Sequence, residues 1–255
     1  MHHDNRSRLA GVLFALGITG LTAGCATLTK PDRENHDPLE GGNRVVYTIN
    51  DYLDKYVLGP VAKRYVQYTP SPVRTAVTHF FDNVMYLNVV FNDLLQGKVK
   101  QGLADLGRFT LNSTLGIGGL FDPATAWGVP KHEEDLGQTL GVWGMGEGAY
   151  LYLPLSGPNS LRDAPNLVTS TLLNPLFYIS SPVMIPVGLL GGINTRANHL
   201  DATRMRDEAA LDPYTFTREA YREKRLSLIY DGELPAEHYG EFIDDSEEEE
   251  VLEIE

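Results

Sequence analysis

The chain has 255 residues, 42% of them hydrophobic, and a formal net charge of −13 at pH 7. The acidity is concentrated at one end, because twelve Asp and Glu and no Lys or Arg follow from Asp231 onward. Since residues 1–24 contribute +1, the segment from Cys25 to Tyr230 carries only −2. This balance argues against nucleic acid as a partner, because phosphate binding needs a clustered basic face. Cys25 is the only cysteine, which excludes an intramolecular disulfide.

Residues 1–24 have the three zones of a secretory signal peptide. Arg6 and Arg8 supply positive charge, residues 9–21 form an apolar run, and two small residues precede Cys25. The run is too short to cross a bilayer, which needs about 20 helical residues. A cysteine directly after small residues resembles the lipobox of bacterial lipoproteins, in which it is acylated and becomes the first residue of the mature chain. An ordinary signal peptide followed by a chance cysteine is the alternative.

Lipidation of Cys25 would anchor the chain without a transmembrane helix, because several acyl chains on one residue give durable membrane binding. The next residue is Ala26 rather than Asp. By resemblance to the enterobacterial sorting pattern, this residue favours the outer membrane over the inner membrane. The sequence therefore predicts a lipid-anchored protein on the periplasmic side of the outer membrane.

The sequence after the signal peptide divides into three parts by composition. Residues 25–43 are polar, contain prolines and paired glycines, and are predicted to form a tether. Residues 44–230 are long enough for one domain, and no internal repeat divides them. Residues 231–255 are predicted to be an acidic, disordered tail, because their charges repel one another. The alternative is that this tail binds a basic partner or keeps the protein off anionic surfaces.

Apolar residues recur at helical spacing on both sides of the centre of the domain. The first predicted helix starts at Arg44 and ends at Gly59-Pro60, and the second starts at Ser71 as the capping residue and ends at Gly97. Further predicted helices run from Val99 to the glycines at 116–119, from Asp122-Pro123, over 196–211, and over Pro213–Ile229 with Asp212 as N-cap. Alternation typical of a sheet is missing. The predicted fold is therefore mainly α, a single domain of short amphipathic and apolar helices.

The centre of the chain is poor in charge. Between residues 136 and 195 the only charged side chains are Glu147, Arg162 and Asp163. A single membrane-spanning helix is a poor explanation, because four prolines and a glycine pair would break it. Two interpretations remain, a large buried core or short helices that lie in one leaflet of a membrane. A lipid anchor on the same chain favours the second.

Four glycines in this centre recur at intervals of four, three and four residues: Gly137, Gly141, Gly144 and Gly148. If the stretch is helical, they form one face that permits close contact between helices. A glycine-rich loop is the equally weighted alternative, because each helical glycine costs about 1 kcal/mol relative to alanine.

Patterns for catalysis, cofactors and metals are not found. His132-Glu133-Glu134-Asp135 lacks the second histidine of a zincin helix, and Leu155-Ser156-Gly157 lacks the first glycine of a nucleophile elbow. His79 and His199 are predicted to be ordinary helix residues. We therefore expect no catalytic, cofactor or metal site, and no enzymatic activity.

Several motifs together resemble the MlaA family, also called VacJ. They include Asp37-Pro38-Leu39-Glu40-Gly41 with Asn43-Arg44, Leu94-Leu95-Gln96-Gly97, the runs over 108–122 and 134–144, Leu161-Arg162-Asp163, Thr195-Arg196 and Asp212-Pro213-Tyr214. The resemblance covers nearly the whole body, from about residue 37 to residue 230. One departure is Gly42, because the family usually has Phe before the Asn-Arg pair. The segment before the first helix is therefore expected to be held less tightly.

The resemblance implies a non-enzymatic outer-membrane lipoprotein. Its helices would form a ring embedded in the inner leaflet around an amphipathic channel. Phospholipids mislocalised to the outer leaflet would pass through this channel to a periplasmic lipid-carrier protein, which an inner-membrane transporter serves. Trimeric porins are the implied partners in the outer membrane. The alternatives are a structural envelope or porin-adaptor lipoprotein that moves no lipid, and a lipid-modifying enzyme.

Charges in apolar surroundings are more often functional than charges elsewhere. Arg162 and Arg196 lie in or next to the charge-poor centre, and we predict that one of them lies near the path of the phospholipid phosphate. The alternative is a structural ion pair with Asp163 or Asp201.

Overall fold

The computed structural model describes residues 37–179 and 181–234, apart from the side chain of residue 181. The predicted signal peptide, Cys25, most of the predicted tether and the acidic tail after residue 234 lie outside these residues. The end of the predicted tether, from Asp37, belongs to the packed domain, because both Asp37 and Asn43 are buried.

The described residues are mainly helical, as the sequence predicts. The α-helices are α1 (Glu40–Leu53), α2 (Gly59–Tyr68), α3 (Ser71–Leu95), α4 (Val99–Thr114), α5 (Pro123–Ala126), α6 (Leu136–Val142), α7 (Asn166–Leu172), α8 (Ser181–Asn198), α9 (Leu200–Ala209) and α10 (Pro213–Ile229). A π-helical turn (Asp54–Leu58) joins α1 to α2, and a 3₁₀ turn (Pro175–Tyr178) follows α7. One antiparallel hairpin, β1 (Tyr150–Leu153) and β2 (Gly157–Ser160), was not predicted, because its strands are too short to show alternation.

The helix starts and stops near the N-terminal end differ from the prediction in two places. α1 begins at Glu40, ahead of the predicted start at Arg44. Gly59-Pro60 does not end the helix, because the chain widens into the π turn just before the proline and then continues as α2. Such a widened turn makes room for a proline ring that would otherwise clash with the preceding turn.

The caps of α3, α5 and α10 test the start signals directly. Pro70 occupies the N-cap position of α3, so Ser71 is the first helical residue and not the predicted cap. The carboxylates of Asp122 and Asp212 do cap their helices. Asp122 Oδ1 accepts from the Thr125 N–H at 3.0 Å, and Asp212 Oδ1 accepts from the Tyr214 N–H at 3.1 Å. Both aspartates directly precede a proline in the first helical turn, as predicted.

Two expectations are wrong for the apolar helix α8 and the helix that follows it. α8 continues through both of its prolines. Pro182 lies in the opening turn, and Pro186 removes only one backbone hydrogen bond. The helix predicted over 196–211 is interrupted at His199, which precedes α9 and is not helical, whereas His79 lies within α3. Within the described part of the chain, no helix is long and apolar enough to cross a membrane.

Polar side chains occupy the interior of the described domain. Buried examples are Asn43, Asn83, Asn88, Asn92, Asp93, Asp105, Arg108, Gln138, Arg162, Asp163 and Asn194. Large apolar side chains lie on the outside instead, with Ile185 at 61% and Leu189 at 64% exposure. This distribution is the reverse of the one in water-soluble domains. The buried-core interpretation of residues 136–195 is therefore wrong for most of their large apolar side chains, which face outward, although Tyr150 is fully buried.

Two fully buried carboxylates hold α3 and α4 together. The Gln101 amide donates to Asp93 Oδ1 at 2.7 Å, and the Tyr86 hydroxyl donates to Asp105 Oδ1 at 3.0 Å. His132 Nδ1 lies 2.9 Å from Asp105 Oδ2. Burial and the neighbouring Asp105 raise the pKa of Asp93 to about 7. Folding therefore favours the protonated form of Asp93.

We predict that Asp93→Asn reduces the pH dependence of stability. The folded-state pKa of Asp93 is above its ordinary value of 3.8, so the folded chain holds a proton that the unfolded chain releases. The stabilisation from this group is thus fully present below about pH 4 and is lost as the pH rises through about 7. Thermal unfolding in detergent between these pH values measures the slope.

The matched control is Asp82→Asn on the same helix, whose side chain is 40% exposed and pairs with Lys131. This variant is expected to keep the wild-type slope. An Asp93→Asn variant that loses stability with pH as steeply as the wild type would contradict a proton on Asp93.

Candidate functional site

The β-hairpin is attached to α1 by two asparagines. The Asn43 amide donates to the Tyr150 carbonyl oxygen and accepts from the Tyr152 N–H, both at 2.9 Å. Asn50 forms the same two bonds with the end of β1 and the hairpin turn, at 2.9 and 3.1 Å. Residues seven apart lie on one face of a helix. These amides therefore satisfy the free edge of β1 and fix the hairpin turn against α1.

A cavity of about 200 Å³ lies where α1, the π turn, the hairpin turn, α8 and α9 meet. Its apolar lining consists of Leu53, Leu58 and Leu155, together with the rings of Tyr47 and Tyr152. Its charged lining consists of Asp51, Asp54, Arg196 and Arg206. We call this space the arginine cavity. An amphipathic lining of this kind suits a ligand that has both apolar and anionic parts.

The predicted residue Arg196 reaches the arginine cavity from the last turn of α8. Its Nη2 donates to Asp54 Oδ2 at 2.7 Å, and its Nε contacts the other oxygen of that carboxylate. Its partner is thus Asp54 and not the predicted Asp201, which pairs with Arg204. Arg196 Nη1 is buried and has no hydrogen-bond partner among the described residues. An unsatisfied buried donor favours binding of an acceptor such as a phosphate oxygen or water.

Arg206 supplies the second guanidinium of the cavity from α9. It donates to Asp207 Oδ1 from Nε at 2.9 Å and to Asp51 Oδ1 from Nη2 at 3.4 Å. Its guanidinium carbon lies 5.9 Å from the centre of the Tyr47 ring. Burial raises the pKa of Tyr152 to about 12, which keeps this phenol neutral. The formal charges that line the cavity are therefore the arginines and their aspartate partners.

The other predicted arginine, Arg162, is not part of this cavity. It follows β2, is buried, and donates from Nε to Asp163 Oδ1 at 2.8 Å, as the ion-pair alternative predicted. Arg225 Nε lies 2.9 Å from the second oxygen of Asp163, and the Tyr221 hydroxyl donates to the same oxygen. Burial raises the pKa of Asp163, but its hydrogen bond from Arg162 and the charge of Arg225 outweigh burial and lower it.

Comparison with known proteins connects this arrangement to a family. The sequence pattern of the MlaA lipoprotein family matches residues 35–227. The chain belongs to the MlaA lipoprotein family. The match spans both the arginine cavity and the polar interior, and it confirms the resemblance seen in the sequence motifs.

Two relatives are each named intermembrane phospholipid transport system lipoprotein MlaA. The one from Shigella flexneri is 37% identical and the one from Escherichia coli K12 is 36% identical, each over 226 residues. In both cases the match covers 87% of this chain and 89% of the relative. A solved structure from work on the structural basis for maintenance of bacterial outer membrane lipid asymmetry has a TM-score of 0.68 and 34% identity. That match covers 76% of this chain and 100% of the solved one.

The departure from the MlaA pattern at Gly42 lies at the start of the domain, next to a segment that is attached by its neighbours. Gly42 lies in the first turn of α1, and a Cβ added there would meet nothing within 4 Å. The segment is held instead by Asn43, whose amide donates to Asp37 Oδ1 at 2.9 Å, and by the Tyr214 hydroxyl, which donates to Asp37 Oδ2. The expectation that this segment is held less tightly than in relatives with Phe stays a prediction.

The four predicted glycines do not form one helix face. Gly137 and Gly141 lie in α6, but Gly144 and Gly148 lie beyond its end with φ of +88° and +70°. The left-handed backbone at these two positions favours glycine in a loop. Each of the two alternatives is thus correct for half of the set.

The helical pair, Gly137 and Gly141, allows α6 to pack against α10. A Cβ on Gly141 would lie 2.8 Å from Ile229, and a Cβ on Gly137 would lie 2.6 Å from Arg225 Nη2 and collide with Asp163. Asp135, which caps α6, accepts hydrogen bonds from both terminal nitrogens of Arg225, at 2.6 and 2.9 Å. The glycines therefore leave room for a buried ion-pair cluster.

The sequence interpretation missed Arg206, Asp54 and Asn50 as site residues. Arg206 is one of several charged residues in α9, and nothing in its spacing separates it from Arg204, which is 68% exposed. Asn50 could have been found from its separation of seven residues from Asn43 on a helix. Asp54 and Arg196 are 142 residues apart, so their pairing follows only from the tertiary structure.

We predict that Gly137→Ala lowers the free energy of unfolding by about 3 kcal/mol, because the new methyl group displaces a buried ion pair. The matched control is Gly42→Ala in α1, where the methyl group meets open space. That variant is expected to be neutral or up to about 1 kcal/mol more stable through helix propensity. Chemical denaturation in detergent measures both. Equal stability of the two variants would contradict the role assigned to α6 packing.

Proposed function

We propose that this chain is a lipid-anchored outer-membrane protein that lies in the inner leaflet and moves mislocalised phospholipids from the outer leaflet towards the periplasm. The observation that carries the proposal is an apolar exterior around a polar interior, in a chain of the MlaA lipoprotein family. The names of the relatives and the subject of the similar solved structure support phospholipid transport and lipid asymmetry.

The apolar exterior supports insertion into acyl chains. On α7 and α8 and between them, the outward side chains include Val168 (61% exposed), Tyr178 (71%), Ile185 (61%) and Leu189 (64%). Soluble monomers rarely expose contiguous apolar patches of this kind. In a leaflet the same side chains are solvated by lipid, and the short helices have their backbone groups paired within each helix. The acylated Cys25 then holds and orients a domain that itself enters the bilayer.

The arginine cavity supports a role for the head group. Arg196 and Arg206 would attract the phosphate, while Leu53, Leu58 and Leu155 would contact the start of the acyl chains. The carboxylates of Asp51 and Asp54 hold the guanidinium groups in place and limit the net positive charge, so that a phosphate is released as well as bound. This combination suits a path rather than a storage site.

In this function the chain catalyses no reaction and has two protein partners. Phospholipid would leave unchanged and pass to a periplasmic lipid-carrier protein, and trimeric porins would hold the protein in the outer membrane. A lipid-modifying enzyme makes the opposite prediction. Purified protein incubated with phospholipid vesicles is expected to release no lysophospholipid or fatty acid.

We predict that exchanging both cavity arginines, Arg196→Gln with Arg206→Gln, slows phospholipid removal about 150-fold, because each of the two lost charge-assisted contacts costs about 1.5 kcal/mol. The measurement is the amount of phospholipid on the cell surface in a deletion strain that expresses the variant. The control is Arg204→Gln, an exposed arginine of α9, the helix that also carries Arg206; it is expected to restore the wild-type level.

The abundance and thermal stability of each variant must match the wild type, so that loss of Asp54 pairing is not mistaken for loss of transport. A folded double variant that fully restores lipid asymmetry would remove the arginine cavity from the path. Normal asymmetry in the deletion strain itself would contradict transport and support a structural adaptor.

We also predict that a full-length mature chain with Cys25→Ser keeps measurable affinity for phospholipid vesicles, because its outward apolar side chains insert without the anchor. Vesicle flotation measures the bound fraction. A variant that is monodisperse without detergent and does not float with vesicles would show that Cys25 is a simple tether.

A further inference from the structure

One segment of the chain is basic although the whole protein is acidic. From residue 55 to residue 81 there are four Lys or Arg and no Asp or Glu: Lys55, Lys63, Arg64 and Arg74. The π turn, α2 and the first turn of α3 carry these four cations. We call the segment over 55–74 the basic corner.

The cations of the basic corner lie mostly on the surface of the described domain, where Lys55 Nζ is 5.9 Å from the centre of the Tyr56 ring. Lys55, Lys63 and Arg64 are exposed, and Arg74 is half-buried with an Nε that has no hydrogen-bond partner among the described residues. The corner residues form no ion pair with another described residue. Other described arginines and lysines do, with the exception of Lys100 on α4. Among the described residues, four of the five cations without an ion pair therefore lie in the basic corner.

Apolar and aromatic side chains lie between these cations. Tyr56 is 66% exposed, Val57 is 52% exposed and Tyr68 is 72% exposed. Tyrosine with lysine or arginine beside apolar surface is typical of the membrane interface, where the ring or stem contacts acyl chains and the polar end reaches the head groups.

The basic corner is also joined to the most apolar part of the exterior. α2 packs against α8, its Ala62 is fully buried, and the hydroxyl of its Tyr65 donates to Asn194 Oδ1 at 3.1 Å. α8 carries the outward Ile185 and Leu189. A basic surface attached to an apolar helix fits a charged interface above a hydrocarbon layer.

We propose that the basic corner binds the phosphate groups of anionic phospholipids at the surface of the leaflet and sets the depth and tilt of the domain. This inference rests on the proposed insertion into the membrane and adds a preference for anionic lipid. An acidic protein partner would match the charges, but it would not account for the outward apolar side chains of α8, against which α2 packs. A phospholipid surface satisfies both the cations and the exposed apolar groups.

The test uses the full-length mature chain with Cys25→Ser, so that acylation does not mask the binding of the domain. Its partition is measured by flotation with vesicles of phosphatidylcholine alone and of phosphatidylcholine mixed with phosphatidylglycerol. The test variant is Lys63→Gln with Arg64→Gln, which keeps side-chain length and helix propensity. The control is Lys100→Gln, an exposed and unpaired lysine on another helix.

The parent is expected to bind the anionic vesicles more strongly than the neutral ones, and rising salt should remove the difference. The double variant is expected to bind anionic vesicles about 30-fold more weakly, because each cation near an anionic surface contributes about fivefold. The control is expected to match the parent on both. Circular dichroism and the melting temperature establish that each variant is folded.

Equal binding of the parent and the double variant to anionic vesicles would overturn the proposal that the basic corner binds anionic phospholipid. A parent that shows no preference for anionic lipid would overturn it as well. Failure of the parent to bind either vesicle would instead contradict insertion and the proposed function. A loss of binding by the control as large as that of the double variant would also overturn the proposal, since any cation would then serve.

Discussion

The structure depends on the pairing of polar groups inside a domain whose outside is apolar. A buried arginine or asparagine that lacks a partner costs stability, so each must meet a complementary group within the fold. Arg108 illustrates the requirement. It donates to the Val129 carbonyl oxygen at 2.7 Å and the Thr125 hydroxyl at 2.8 Å, and it pairs with Asp122. Interior contacts of this kind are directional, so they constrain how the helices can be arranged.

The proposed phospholipid path and the proposed contact with the membrane both follow from this polar interior and apolar exterior. Because polar groups are collected inside, the amphipathic cavity beside Arg196 and Arg206 can meet a head group without exposing charge to acyl chains. Because apolar groups are collected outside, short helices such as α7 and α8 need no transmembrane span to hold the domain in a leaflet. The anchor at Cys25 and the basic corner would then act on a domain that already prefers the bilayer.

Helical spacing was sufficient to predict α3 and α4, and spacing together with the Asp212 cap predicted α10, because periodicity and caps are local properties of the sequence. Periodicity does not show whether an apolar face points to a core or to lipid, and the outward side chains of α8 were therefore settled only by the structure. The Arg196 partner was missed because Asp54 lies 142 residues away. The net charge of −13 hid the basic corner, since a whole-chain sum averages an acidic tail with a local cluster.

Whether lipid or water surrounds the outward apolar side chains decides most directly whether the domain is embedded in the leaflet. Single cysteines at Ile185 and Leu189 on α8, and at Lys100 on α4 for comparison, can carry spin labels in a full-length mature chain whose native cysteine is replaced by Cys25→Ser. In reconstituted vesicles we expect labels on α8 to collide with oxygen dissolved in the hydrocarbon and to be shielded from a water-soluble nickel reagent. The label at position 100 should show the reverse. Nickel accessibility at Ile185 and Leu189 equal to that at Lys100 would contradict a domain embedded in the leaflet.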